Sequence, residues 1–157
     1  LNDDEIRAEL SQLGIAAEHY RVVALLPLVQ VAWADGRIQT AERDLILQIA
    51  DRSSQLDPAA RSLLQKWLDE RPSEFYLSRG KKLLAVLAAR AHFKDVSVDT
   101  LEEVVAYCQG VASAAGGLFG FFGNKVDDAE QRAIEDIARA LHVEGKASWE
   151  TLRPKFA

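Results

Sequence analysis

Apolar residues recur along this chain at helical spacing almost throughout, and capping residues divide the pattern into segments. Asn2-Asp3-Asp4-Glu5 reads as a capping box and Gly14 as a stop, which predicts a first helix over about 3–13. A second helix is expected from about Glu18 to Ala34, with a kink or break at Pro27. A third begins near Thr40 and places Leu45, Ile46 and Ile49 on one face. Asp57-Pro58 is an N-cap followed by proline at the first helical position, and this fourth helix ends before Pro72. Ser73 caps a fifth, from Glu74 to about Phe93, which Gly80 should weaken locally. Asp99-x-x-Glu102 opens a sixth that ends at Gly116-Gly117, and Asp127-x-x-Glu130 opens a seventh that ends near Leu141. Trp149, Leu152 and Phe156 are placed to pack a last turn onto the core. No segment alternates long enough to make a strand. The prediction is an all-α, single-domain bundle of about seven helices spanning residues 1–157.

The pattern also repeats. Val111-Ala112-Ser113-Ala114-Ala115-Gly116 mirrors Val31-Ala32-Trp33-Ala34-Asp35-Gly36 at an offset of 80 residues. Val126, Glu130, Ile134 and Ile137 then mirror Ile38, Glu42, Ile46 and Ile49 at an offset of 88, the difference being a Gly/Phe-rich insertion at 116–123. A helix–glycine turn–helix hairpin present twice predicts two related hairpins packed in one core.

Composition narrows the functional classes. At 157 residues the chain is long enough to bury a substantial core. Its net charge of −5 argues against a nucleic-acid binder that works by phosphate neutralisation. The basic residues Arg79, Lys81, Lys82, Arg90 and Lys94 read mainly as a solvated helix face. Cys108 is the one cysteine, lies in an apolar helical pattern, and fits a buried inert thiol in a reducing, cytoplasmic compartment. No apolar run reaches the length of a bilayer span. The chain opens on Leu1 and contains no methionine, from which a fragment or a processed product is expected.

The stretch richest in chemistry is Asp35-Gly36-x-Ile38-x3-Glu42. Its spacing equals the second half of an EF-hand loop: an oxygen ligand, glycine, an aliphatic residue and a glutamate. The first half is missing, because the first and third loop positions would fall on Val31 and Trp33, so an EF-hand is excluded. Two readings follow. In one, Asp35-Gly36 is an ordinary helix stop and Glu42 caps the next helix. In the other, Asp35 and Glu42, joined by Glu130 from the second hairpin, hold a hard divalent cation such as Ca2+ or Mg2+ with oxygens from elsewhere in the fold. Asp44, Asp127 and Asp128 are the further acids available to such a site.

The Ala-Asp-Gly-x-Ile-x3-Glu unit with its Ile-rich helix resembles the tellurite-resistance TerB family. So does the second half, Gly116-Gly117-Leu118-Phe119-Gly120-Phe121-Phe122-Gly123-Asn124-Lys125-Val126 followed by Asp127-Asp128-Ala129-Glu130. The resemblance covers roughly residues 20–142. It implies a compact all-α domain of about seven helices with an internal pseudo-repeat, linked to tellurite and general stress resistance, and metal binding by acidic residues. A similar domain stands beside a J-domain in a membrane-attached co-chaperone. Asp35 and Glu42 match the first motif and Glu130 the second, whereas Ala115 stands where the second motif would carry its aspartate. A symmetric two-metal site is therefore not expected.

Other features point away from catalysis. His19, His92 and His142 have no ligand-like spacing to one another or to Cys108, and no nucleophile elbow, phosphate-binding loop or zinc-protease signature occurs. Trp33 and Trp67 read as core. The Gly/Phe-rich loop is read either as folding its phenylalanines into the core or as a hairpin that binds a partner or touches a membrane. The expected function is a non-enzymatic stress-response domain that binds a divalent cation. The alternative is a protein–protein interaction module with no ligand of its own, cut from a larger protein. A protein partner is expected in either case.

Overall fold

The computed structural model describes residues 2–54, 56–90, 93, 95–96, 98–116, 127–145 and 147–156, and within these there is no strand. The helices are α1 (Asp3–Gln12), α2 (Leu26–Trp33), α3 (Thr40–Ile49), α4 (Pro58–Asp69), α5 (Glu74–Ala88), α6 (Val98–Gly116), α7 (Asp128–Ala140) and the single turn α8 (Trp149–Leu152). Irregular pieces among the described residues are a 3-10 segment at Ala17–Leu25, a π turn at Ala50–Ser54 and a 3-10 turn at Arg153–Phe156.

The caps fall where the side chains dictate. Asn2 accepts from the Glu5 amide while Glu5 returns a bond to the Asn2 amide. Asp57 caps α4 through the Ala60 amide, and Ser73 caps α5 through the Tyr76 amide. Gly14 ends the first helix at φ +76°, a left-handed conformation that residues with a Cβ adopt at a cost.

The expected second helix is two pieces. α2 starts at Leu26, so Pro27 sits in its first turn, where the missing N–H has no helical acceptor to lose. The residues before it wind as a 3-10 segment, broken by non-helical dihedrals at His19. α5 stops at Ala88, short of Phe93, and α6 begins at Val98, which puts Asp99 inside the helix rather than at its cap. Gly80 has a packing role: a Cβ there would lie 2.2 Å from a Leu26 methyl. The glycine lets α5 close on α2.

The core is built around α2 and α6. Leu26, Leu28, Val29, Val31 and Ala32 of α2 are fully buried, as are Ala106, Cys108 and Val111 of α6. A helix apolar on most of its circumference must be enclosed by others, and α3, α5 and α7 do this. Burial pushes the Cys108 thiol far above its ordinary range, in keeping with an inert core residue. A relay of polar groups ties the layers together. The Trp33 indole donates to the Trp67 carbonyl (2.9 Å), the Trp67 indole donates to the Tyr76 hydroxyl (3.2 Å), and that hydroxyl donates to the Leu13 carbonyl. The tail closes over α6, where Trp149 and Phe156 stack on each other and meet Tyr107 edge-on.

One part of the basic cluster is not a solvated face. Lys81 is buried and its Nζ lies 2.5 Å from Asp136 of α7, while Arg79 pairs with Glu9 at 2.7 Å. No single described helix is long and apolar enough to cross a membrane. The Gly/Phe-rich loop beyond Gly116, His92 and Lys94 lie outside the described residues.

Candidate functional site

The two hairpins, α2–α3 and α6–α7, carry their equivalent residues in equivalent places. Gln39 and Asp127 are the N-caps of α3 and α7, 88 residues apart, and Glu42 and Glu130 are the third residues of those helices. Ile46 and Ile134, then Ile49 and Ile137, follow as buried pairs, and Val31-Ala32 and Val111-Ala112 are buried on the preceding helices.

A glutamate in the first turn of a helix usually faces solvent, where it serves the helix dipole. Both of these face inward. Glu42 is 0 % exposed and Glu130 is 2 % exposed. Glu42 uses one oxygen conventionally, its Oε1 accepting from the Gln39 amide at 2.9 Å. Its other oxygen, and Oε2 of Glu130, are buried and meet no hydrogen-bond donor. Asp127 caps α7 through the Ala129 amide at 2.7 Å, and Glu130 is left free of capping work. The capping reading thus holds for half of Glu42 and accounts for neither inward oxygen.

A buried carboxylate without donors is costly, so it keeps a proton or takes a counter-ion. Burial pushes Glu42 up to about 7, against the Gln39 bond that favours its ionised form, with Asp35 adding repulsion. Glu130 is pushed up to about 8 by burial first, then by the charge on Glu42, with Asp35 and Asp127 adding to it. A retained proton can be shared, Glu130 donating to Glu42, so the carboxyls titrate as a pair. Once both ionise, the inward oxygens are orphaned acceptors with no lysine or arginine paired to them among the described residues.

The sequence-predicted set is thus brought together only in part. Glu42 and Glu130 converge. Asp35 lies on the exposed turn, held by Gly36 at φ +100°, near enough to raise both glutamates. Its Oδ1 makes only a long contact to the Arg37 amide, 3.4 Å. Asp44 and Asp128 are exposed and add nothing to the pair. Among the described residues, no three His, Cys, Asp or Glu side chains form a ready metal centre. The donor chemistry still fits a hard cation: two carboxylates with free oxygens in a field of acids. Water and backbone carbonyls would have to complete such a shell.

Sequence reasoning missed the polar knot beside this hairpin pair. Lys81 and Gln30 both bond Oδ2 of Asp136, at 2.5 and 3.3 Å. Lys81 lies at helical spacing between Leu77 and Leu84, which was the available signal that it faces inward. His19 pairs with Asp57, a contact that no spacing argument could reach.

A family model described as "Tellurite resistance protein TerB" matches residues 19–152, a span that contains both hairpins and the tail turn. No curated protein and no solved structure matches the chain.

Proposed function

The chain belongs to the TerB family, a tellurite-resistance-associated family, and we propose that it is a non-enzymatic domain that binds one divalent cation between Glu42 and Glu130. The observation that carries this reading is the pair of buried Oε2 atoms, one from each half of the repeat, that meet no donor from any other described residue. A divalent ion supplies the positive charge that the fold does not, and hard oxygen donors favour Ca2+ or Mg2+ over softer metals. Asp35, from its exposed turn, adds attraction at longer range, and Ala115 offers no equivalent in the second half. One asymmetric site follows rather than two. The ion would join the start of α3 to the start of α7 and so lock the two hairpins together.

The test is a thermal melt of the wild type and of Glu42→Gln/Glu130→Gln, with and without millimolar Ca2+ or Mg2+. Binding at a hundredfold excess over Kd stabilises the folded state by about 2.7 kcal/mol. The wild type should therefore melt higher with the ion, and the double variant should not respond. A wild-type melting temperature indifferent to both ions discards the cation reading and favours an interaction module without a ligand.

A further inference from the structure

A second site lies at the opposite end of α3. The 3-10 segment at Ala17–Leu25, the π turn at Ala50–Ser54, the start of α6 and the turn at 95–96 enclose a cleft of about 350 Å3. Counting about 1.5 Å per residue from Glu42 to Ser53, it is roughly 16 Å along the helix from the carboxylate pair. Two of its walls depart from α geometry. π turns occur disproportionately at functional sites, and this one carries Ser53 to the cleft.

The lining has a definite chemistry. Ala24, Leu25, Val96 and Val104 form an apolar floor, and Ser53, Thr100 and Tyr107 add hydroxyls. Among the described residues Arg21 is the only cation in the lining, and it is neutralised there: its Nη2 lies 2.6 Å from Asp95, which also accepts from the Tyr20 hydroxyl at 3.1 Å. Glu103 is different. It lines the same cleft and has no basic side chain paired with it among the described residues. Among the described residues the cleft therefore presents one uncompensated negative charge beside apolar side chains. Burial, then the Glu103 charge, push the Tyr107 hydroxyl up from its ordinary value, against a bond with Ser53, whose own hydroxyl donates to the Ile49 carbonyl at 2.6 Å. The volume is that of a small-molecule pocket.

We propose that this cleft binds a small organic monocation, an ammonium or guanidinium on a short apolar stem, with Glu103 as its counter-ion. The stem lies on Leu25 and Val104.

The test is a titration of the full chain with n-butylammonium and n-butylguanidinium, followed by backbone amide NMR. Butyrate and butanol are the controls for charge and for shape. Saturable shifts at Leu25, Ser53, Val104 and Tyr107 are expected with the two cations and not with the controls. Glu103→Gln should weaken binding about tenfold or more, the usual scale for losing a charge-assisted hydrogen bond. Glu42→Gln/Glu130→Gln should leave this binding unchanged, which separates the result from the divalent-ion reading. The proposal is overturned if the cations give no saturable shifts, if butanol shifts the same amides equally, if Glu103→Gln binds as well as the wild type, or if the shifts centre on residues 35–42 and 127–130.

Discussion

The two hairpins of the repeat share a frame and spend their polar positions differently. Position 30 in the first copy is Gln30, which bonds Asp136 of α7. Its counterpart is Gly110, where a Cβ would lie 2.5 Å from the Trp149 ring, so the second copy uses the same place to seat the tail. Gln48 donates to the Phe156 carbonyl at 2.9 Å, whereas its counterpart Asp136 takes the buried Lys81. Among the polar positions compared, the third helical residue keeps both its identity and its inward direction. Glu42 and Glu130 turn inward in both copies, though each could satisfy its helix from the surface. Gln30, Gln48 and Asp136, at places where the copies differ, each bond a group elsewhere in the fold, whereas Glu42 and Glu130 turn their Oε2 atoms toward each other's hairpin.

The largest expected effect breaks that sameness. Because both carboxyls are raised above the unfolded value, the native state holds protons that the unfolded chain has released. The cation-free protein is then most stable near pH 5 and loses stability as pH rises through about 7 to 8. At about 1.4 kcal/mol per pKa unit the loss amounts to a few kcal/mol. Chemical denaturation across pH 5–9 measures it. Glu42→Gln/Glu130→Gln should flatten the profile and melt higher than the wild type above pH 8. A wild-type profile that is flat over this range would mean that the two carboxyls do not press on each other. With saturating Ca2+ the wild-type curve should recover at high pH, where the ion has no proton to displace.

A second prediction concerns the divergent place in the repeat. Gly110→Ala puts a methyl group into the Trp149 ring, and overpacking of this kind costs about 1–3 kcal/mol. The tail should loosen first, because Trp149, Phe156 and Tyr107 stack as one cluster. Tryptophan fluorescence and amide exchange at 149–156 would report it. An intact tail in this variant would show that Trp149 can find another seat.

Much of the architecture was legible before the structure. Asn2, Asp57, Ser73 and Asp127 each cap the helix that their spacing announced, because capping is a local interaction. Pro27 marked the start of α2 for the same reason. The repeat offset also gave away the equivalence of Glu42 and Glu130. What could not be read was which way those carboxylates point. A glutamate at the third helical position has the same sequence signature whether it caps its own helix or faces its partner across the core. The cleft at Glu103 was equally hidden, since its walls come from segments far apart in sequence and two of them abandon regular helix geometry. Lys81 shows the converse: its charge suggested a surface that its spacing contradicted, and the spacing was the better guide.

The smallest expected effect separates the turn from the pair. Asp127→Ala removes a cap from α7 and should cost about 1 kcal/mol, the usual value for such a loss. Asp35→Asn should move stability by less than about 0.5 kcal/mol, because Asp35 is exposed and its one backbone contact is long. The two variants differ more in their response to an ion. Asp35 repels both glutamates, so Asp35→Asn relieves part of the pressure that an ion would relieve. It should reduce the Ca2+-induced rise in melting temperature without abolishing it, while Glu42→Gln/Glu130→Gln abolishes it. Asp127 presses on Glu130 too, but less than Asp35 does, so Asp127→Ala should lower the melting temperature with and without Ca2+ and trim the ion-induced rise less than Asp35→Asn. Melts of the three variants at one pH near 7.5, each with and without the ion, give the ordering directly. If Asp35→Asn eliminates the response entirely, the ion sits on the exposed turn of the first hairpin, and the two copies do not share it.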